Sequence, residues 1–171
     1  MFKLHHRINR ILIKLSYRFG VSKLFSMPKM LALDPTNLCD LKCPLCPTGL
    51  RDKTVQRGSI KLEQFKIIVN RLGKYLQSIN LYSWGEPLLH KSLVDMIRHT
   101  AINHKIRTVT SVHLGNLSDE QVEGLATSGL DKLIVSVDGA TQEVYEKYRV
   151  GGDIEKVFAN MKRLVEAKKR H

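Results

Sequence analysis

The 171-residue sequence has only three cysteines, and all of them lie between Cys39 and Cys46. An odd number of clustered cysteines argues against a disulfide framework. The sequence also lacks an apolar run long enough to span a bilayer, an internal repeat and a low-complexity tract. What remains is typical of one globular domain, with 43% hydrophobic and 26% charged residues. The clustered cysteines therefore indicate a metal site in a reducing compartment.

Acidic residues are absent from the first 30 positions, which hold seven of the 28 Lys and Arg residues. The net charge of +12 is thus concentrated in a leader, residues 1–29. Apolar residues recur there at spacings of three and four, and basic residues lie between them, which predicts an amphipathic helix. The apolar positions are Leu4, Ile8, Ile11, Leu12, Leu15 and Phe19, and the basic positions are Lys3, Arg7, Arg10, Lys14 and Arg18.

Two interpretations of the leader helix stay open. It lies on an anionic membrane surface, or it docks on the domain with its charges in water. Lys14 and Arg18 interrupt what would be the apolar stretch of a secretory signal, so we expect a cytoplasmic protein, peripheral to the membrane if the first interpretation holds. We expect no nucleic-acid partner, because apart from Tyr17 the basic positions lack interleaved aromatic residues.

Beyond residue 30, strand patterns alternate with helix patterns. Strands are predicted at 31–33, 79–84, 106–112 and 133–137, and the last is a continuous apolar run of the kind found in buried parallel strands. Helix faces follow each strand. Ser118 and Gln121 form a capping box for the third helix of this part, which we expect Gly129 to close, and Asp153 caps the fourth. Four βα units predict an α/β fold with a parallel sheet.

Ligands of parallel α/β sheets bind at the carboxyl ends of the strands. Three polar or glycine-bearing segments follow predicted strands, at 37–48, 84–87 and 136–139. Because the carboxyl ends of parallel strands meet at one edge of the sheet, we expect these three segments to lie close together.

The first segment overlaps a longer loop, residues 38–60, that carries the three cysteines and that we call the cysteine loop. Cys39, Cys43 and Cys46 are spaced by four and three residues, so three thiolates can wrap one cluster compactly. Three ligands leave one iron of a 4Fe–4S cluster without a protein donor, and an open position is typical of a catalytic metal site. The alternative is a zinc site completed by a distant histidine such as His113, although zinc sites usually repeat a paired CxxC unit.

This C-x3-C-x2-C loop after a first strand resembles that of the radical SAM superfamily, over roughly residues 30–170. The resemblance implies a domain at 30–171 that forms a partial (βα) barrel of about four βα units. It implies a 4Fe–4S cluster on the three cysteines, reduced by a donor such as flavodoxin or ferredoxin. The open iron would bind S-adenosylmethionine (SAM), whose cleavage gives a 5′-deoxyadenosyl radical that abstracts hydrogen from a substrate not identified by the sequence. The alternative is a non-catalytic iron–sulfur or zinc-binding interaction module.

The resemblance also implies contacts to SAM from the end of the second strand. Trp84-Gly85-Glu86 is similar to the family's Gly-Gly-Glu motif, with Trp84 in place of the first glycine. In the family, backbone oxygens here bind the methionine ammonium group, and a small residue lets the backbone approach closely. We therefore predict that Gly85 and Glu86 contribute to cofactor binding.

Two later segments complete the expected SAM site. Ser136 and Asp138 resemble the family's ribose-contacting segment, and Arg149 resembles an arginine that pairs with the SAM carboxylate. Asp138-Gly139 is alternatively a simple turn, and Arg149 a solvated helix charge. Where the family often has Thr-Asn-Gly, this sequence has His113-Leu114-Gly115-Asn116, and we expect His113 to be a polar loop residue.

The pattern resembles the branch of the family whose members often carry a C-terminal SPASM domain. The family barrel generally has six strands, and four are predicted here. The resemblance therefore implies that the sheet is a truncated barrel, or that a partner chain completes it.

Overall fold

The computed structural model describes residues 2–171, with side chains from Leu4 onward. Met1 and the side chains of Phe2 and the predicted leader residue Lys3 lie outside the described residues. The regular elements are α1 (Phe2–Arg18), β1 (Met30–Ala32), α2 (Leu62–Leu72), β2 (Ser78–Asn80), α3 (Leu93–Arg98), β3 (Arg107–Val112), α4 (Asp119–Thr127), β4 (Lys132–Val135), α5 (Gln142–Tyr148) and α6 (Ile154–Arg170). A 3-10 turn at Pro87–Leu89 precedes α3, and a π turn at His99–Asn103 extends it.

The four strands form one parallel sheet in the order β1-β2-β3-β4, with helices in every connection. Leu31 pairs with Ile79, Ile79 with Thr108, and Thr110 with Leu133. The predicted α/β fold with a parallel sheet is confirmed, and within residues 2–171 the sheet does not close into a barrel. The amphipathic leader helix is also confirmed as α1, whereas the division into a leader and a domain at residue 30 stays a prediction.

Buried side chains from strands and helices form one hydrophobic core. The apolar faces read from the sequence supply it, since residues three and four apart on a helix share a face. Its members include Phe65 and Val69 of α2, Ile79 of β2, Met96 and Ile97 of α3, and Ile154 and Val157 of α6. Capping at the helix starts follows the sequence as well: Ser118 and Gln121 make the capping box of α4, and the Asp153 carboxylate accepts the Lys156 N–H of α6.

Two strand predictions need correction. β2 ends at Asn80 and not near Trp84. The Leu81 N–H still donates to the Val109 carbonyl of β3, whereas the Trp84 N–H donates to the Asp34 carboxylate in the loop after β1. β4 is half-buried rather than buried: Leu133, Ile134 and Val135 are all of intermediate exposure. The reason is that β4 pairs with β3 along one side, and no described strand pairs with its other side.

Candidate functional site

The segments after β1, β2, β3 and β4 meet in a cleft of about 240 Å³. We call it the strand-end cleft. It contains every predicted site residue except Asp138. Its lining includes Cys39, Cys43, Cys46, Gly85, Glu86, His113, Ser136, Tyr148 and Arg149. The expectation that three distant segments converge at the carboxyl edge of the sheet is therefore confirmed.

Cys43 lies at the centre of the cysteine loop. Its side chain is buried, whereas Cys39 and Cys46 are partly exposed, and none of the three forms a disulfide. The Cys46 N–H donates to the Cys43 carbonyl at 3.3 Å, and the Lys42 N–H donates to Val150 at 2.9 Å. A Cβ on Gly49 would lie 2.4 Å from the Cys43 carbonyl oxygen, so the loop can fold onto itself only with glycine there. Gly49 was not predicted as a site residue from the sequence, where the available signal is a glycine three residues after the last cysteine.

The spacing of the donor atoms distinguishes a cluster from a single zinc ion. Tetrahedral zinc with bonds of about 2.3 Å holds its sulfur ligands within about 4 Å of one another. Within the described part of the chain, the one group of three donors mutually within 4.8 Å is Cys39, Asp40 and His113. The three thiols are not gathered that tightly. They therefore fit a cluster, in which each thiolate binds a different iron, better than one zinc ion.

Arg149 connects the end of β4 to the cysteine loop. It caps the C-terminus of α5, its Nε donates to the Asp138 carboxylate, and its Nη1 lies 4.0 Å from the Cys43 sulfur. Burial raises the pKa of Cys43, and the Arg149 guanidinium opposes that shift. Asp138 therefore stands behind Arg149 and orients it, while Ser136 faces the cleft with its hydroxyl 3.4 Å from that of Ser111.

Gly85 lies where the loop after β2 crosses the loop after β1. A Cβ at this position would meet the Thr36 carbonyl oxygen at 1.8 Å, so the two backbones are in direct contact. The neighbouring Glu86 is 3% exposed, and its carboxylate accepts N–H groups of Leu88 at 3.1 Å and His113 at 2.8 Å. Burial raises the pKa of Glu86. The buried Glu86 carboxylate thus links the turn at Leu88 to the residue that follows β3, His113.

His113, at the end of β3, connects to the cysteine loop. Its Nε2 lies 2.8 Å from Asp40 Oδ1, and Asn116 donates to the other Asp40 oxygen at 2.7 Å. Burial lowers the pKa of His113, but the bond to Asp40 and the nearby Cys39 and Glu86 outweigh burial and raise it to about 10. The His113 Nδ1 accepts a hydrogen bond from the Gly115 N–H at 3.0 Å. Protonation of Nδ1 would break this bond, so the bond opposes a second proton on the ring.

This Asp40–His113 link was not predicted from the sequence. His113 is 4% exposed, so it is a buried link between strand ends rather than a polar loop side chain. The available indication was an acidic residue beside the first cysteine and a histidine directly after a predicted strand, 73 positions apart. Sequence spacing does not reveal that such distant residues meet.

Comparison with known proteins agrees with this geometry. A sequence profile described as the radical SAM superfamily matches residues 33–171, which is most of the chain. The chain belongs to the radical SAM superfamily. A 4Fe–4S cluster and SAM are the characteristic cofactors of that family.

Radical SAM relatives resemble this chain over the same region. The PqqA peptide cyclase of Rhodopseudomonas palustris is 31% identical over 136 residues, which cover 78% of this chain and 34% of that protein. The AdoMet-dependent heme synthase of Methanosarcina barkeri is 28% identical over 141 residues, covering 82% of this chain and 40% of that protein. This chain thus spans less than half the length of these curated relatives.

A solved radical SAM structure shares the fold. The crystal structure of Streptococcus suis SuiB bound to S-adenosylmethionine superposes with a TM-score of 0.73 at 19% sequence identity. The match covers 92% of this chain and 35% of SuiB.

One buried polar group beside the strand-end cleft has no described partner. Tyr145 is fully buried, and its hydroxyl has no hydrogen-bond partner among the described residues. Burial raises the pKa of Tyr145, and the Arg149 guanidinium opposes that shift. A buried donor is costly unless it is paired.

We expect the Asp40–His113 link to stabilise the cysteine loop. His113→Ala removes the donor to Asp40 and should lower the free energy of unfolding by about 1–3 kcal/mol, together with the iron bound per chain. His113→Gln should restore most of both, because its amide can donate to Asp40. Chemical denaturation and iron analysis of the three proteins measure these effects. Equal iron content in the Ala and Gln variants would show that the link does not position the loop.

Proposed function

We propose that this chain binds a 4Fe–4S cluster through Cys39, Cys43 and Cys46 and holds SAM in the strand-end cleft. The proposed activity is the generation of a 5′-deoxyadenosyl radical that abstracts hydrogen from a substrate. The observation that carries this proposal is the convergence of the three thiols with residues from four other segments of the chain in one cleft. Their spread beyond the reach of a single zinc ion supports a cluster over a zinc-binding interaction module.

Each polar group of the cleft has a role in this proposal. Arg149 is held by Asp138 with part of its guanidinium fork toward Cys43, which suits a carboxylate bound beside the cluster. The Ser136 hydroxyl would form a hydrogen bond with a ribose hydroxyl of SAM. The Gly85 backbone, which has no Cβ in the way, offers close approach to the methionine ammonium group.

The proposed division of labour follows from these positions. When bound, a reduced cluster supplies the electron that splits SAM into methionine and the 5′-deoxyadenosyl radical. The chain's own residues bind and orient SAM. Leu41 and Val112 on the cleft wall supply apolar surface that limits access of water.

The substrate stays open in this proposal. The relatives include a PqqA peptide cyclase, a heme synthase and a probable GTP 3′,8-cyclase. SuiB has also been crystallised with the precursor peptide SuiA. These proteins differ in substrate, so the likeness supports the cluster and SAM half of the reaction. A peptide is one substrate class that the comparisons support.

We further propose that a partner chain completes the sheet beyond β4. The outer edge of β4 is unpaired in the described residues, and an unpaired strand edge readily adds another strand. Electrons would come from a donor such as flavodoxin or ferredoxin, in a cytoplasmic and oxygen-poor setting.

Anaerobic reconstitution with iron and sulfide tests the metal assignment. We expect a brown protein with the absorption and paramagnetic resonance of a 4Fe–4S cluster after reduction. SAM should change the resonance of the reduced cluster, because SAM ligates the iron that lacks a cysteine. Stoichiometric zinc in the native protein with no iron uptake would contradict the proposal and favour the Cys39–Asp40–His113 group as a zinc site.

The same samples test the need for a partner. Reduced chain mixed with SAM should release little 5′-deoxyadenosine, measured by chromatography, because the proposed partner chain would supply the cleft wall beside β4. Full turnover by a monodisperse monomer would show that the four strands suffice and that no partner is needed.

A further inference from the structure

α1 is attached to the rest of the chain along one side. Asn9 is 5% exposed, its side-chain amide donates to the Met27 carbonyl at 2.8 Å, and its carbonyl oxygen accepts the Met27 N–H at 2.7 Å. The His5 ring makes an edge contact with Tyr75, with centroids 6.5 Å apart. Met27 belongs to the leader, so the Asn9 contacts fold the leader back on itself, and His5–Tyr75 is the described contact that reaches the body.

A neighbouring side of α1 carries an uncovered apolar stripe. Leu4, Ile8, Ile11 and Leu15 are 60%, 49%, 55% and 47% exposed. Their spacings of four, three and four place them on one line along the helix. Ten of the 22 exposed large hydrophobic side chains in the described part of the chain lie between Leu4 and Met27. We call the face that carries these four side chains the leader face.

Basic residues flank the leader face, and no acidic residue accompanies them. Arg7, Lys14 and Arg18 are all exposed and lie on the helix beside the apolar stripe. The first carboxylate in the sequence is Asp34, beyond the leader. Two copies packed through this face would bring like charges together without a compensating acid. A surface that is both apolar and negative matches it better.

We propose that the leader face docks on an anionic lipid surface, with the apolar stripe in the acyl boundary and the flanking cations at the headgroups. An interfacial helix of this kind combines buried apolar area with attraction to anionic lipid. Phe19 and Phe25, which follow the helix in the leader, are exposed as well and add apolar surface to this part of the chain. No described helix is long and apolar enough to cross a membrane, so the chain would rest on the surface. The proposal concerns a segment that contributes no residue to the strand-end cleft, and it stands independently of the function proposed there.

Vesicle sedimentation tests the proposal with the full reconstituted chain. We expect binding to vesicles of phosphatidylcholine with about one-third phosphatidylglycerol, and release when salt rises from about 0.1 M to 0.5 M, where screening is stronger. Replacing Arg7, Lys14 and Arg18 together by glutamine should weaken binding about a hundredfold. Ile8→Gln with Ile11→Gln should weaken it at least tenfold, because both lie in the apolar stripe.

A matched pair of substitutions outside the leader controls for a general loss of apolar surface. Ile67 and Val144 are 52% and 46% exposed, and replacing both by glutamine should leave vesicle binding unchanged. Equal binding by the wild type and the Ile8/Ile11 variant would overturn the proposal. A wild type that ignores vesicles but forms dimers lost in that variant would overturn it as well, and would identify the face as a contact between copies.

Discussion

Cys43→Ser should reduce the iron bound after anaerobic reconstitution from about four atoms per chain to background. Serine matches cysteine in size but is a poor ligand for the iron of a cluster. Cys43 is the buried member of the three, and its sulfur lies beside Arg149, so a cluster held by the two remaining thiols would be open to solvent. The measurement is iron and sulfide content with the charge-transfer absorption of the cluster.

A control in the same loop separates ligand loss from loop damage. Leu50 is 63% exposed and does not line the strand-end cleft, so Leu50→Ala should retain the full iron content. Circular dichroism should show that both variants keep the parallel α/β fold. A Cys43→Ser protein with wild-type iron content would remove Cys43 from the ligand set and with it the proposed binding of the cluster by all three cysteines.

Gly85→Ala should destabilise the chain by about 3 kcal/mol or more, the upper range for overpacking. The new methyl group would overlap the Thr36 carbonyl oxygen at 1.8 Å. The methyl carbon is bonded directly to the backbone of residue 85, and the oxygen belongs to the backbone of Thr36, so neither atom can rotate away. Thr36 is itself buried. Its hydroxyl donates a hydrogen bond to the Gly58 carbonyl at 3.0 Å and accepts one from the Ser59 hydroxyl at 2.8 Å, and these bonds limit how far the loop after β1 can move.

Thermal unfolding measures this effect as a fall in Tm of about 10 °C for a chain of this size. Gly58→Ala is the matched control, because no atom lies within 4 Å of a Cβ built there, and its effect should stay within about 0.5 kcal/mol. SAM should also cease to perturb the reduced cluster in Gly85→Ala, since the loop carrying the proposed ammonium contact must move. Equal stability of the two variants would mean that the loops after β1 and β2 are not packed as described.

The sequence predicted most of the fold because its elements are regular and local. The apolar positions of α2 and α6, the capping box at Ser118 and the strand–helix alternation are read from neighbouring residues, and all are found. The predicted burial of 133–137 was wrong because burial depends on what covers a strand. An apolar run has the same composition at the edge of a sheet as at its centre.

The cysteine loop and the family were within reach of the sequence because the three cysteines that we propose as ligands lie within eight positions. The same holds for the amphipathic character of α1, whose period is local. The sequence left undecided whether α1 docks on the body or faces a membrane. In the structure Asn9 binds Met27 within the leader and His5 contacts Tyr75 of the body, while the stripe of Leu4, Ile8, Ile11 and Leu15 stays exposed.

By itself, then, the sequence determined the βα alternation, the C-x3-C-x2-C loop and the concentration of positive charge in the leader. Only the tertiary structure decided which groups of the site contact one another. It placed Asp138 behind Arg149, put Glu86 inside the cleft wall and joined His113 to Asp40 across 73 positions. The physical reason is range: propensity and periodicity act over one or two helical turns, whereas a parallel sheet joins residues that are separated by whole βα units.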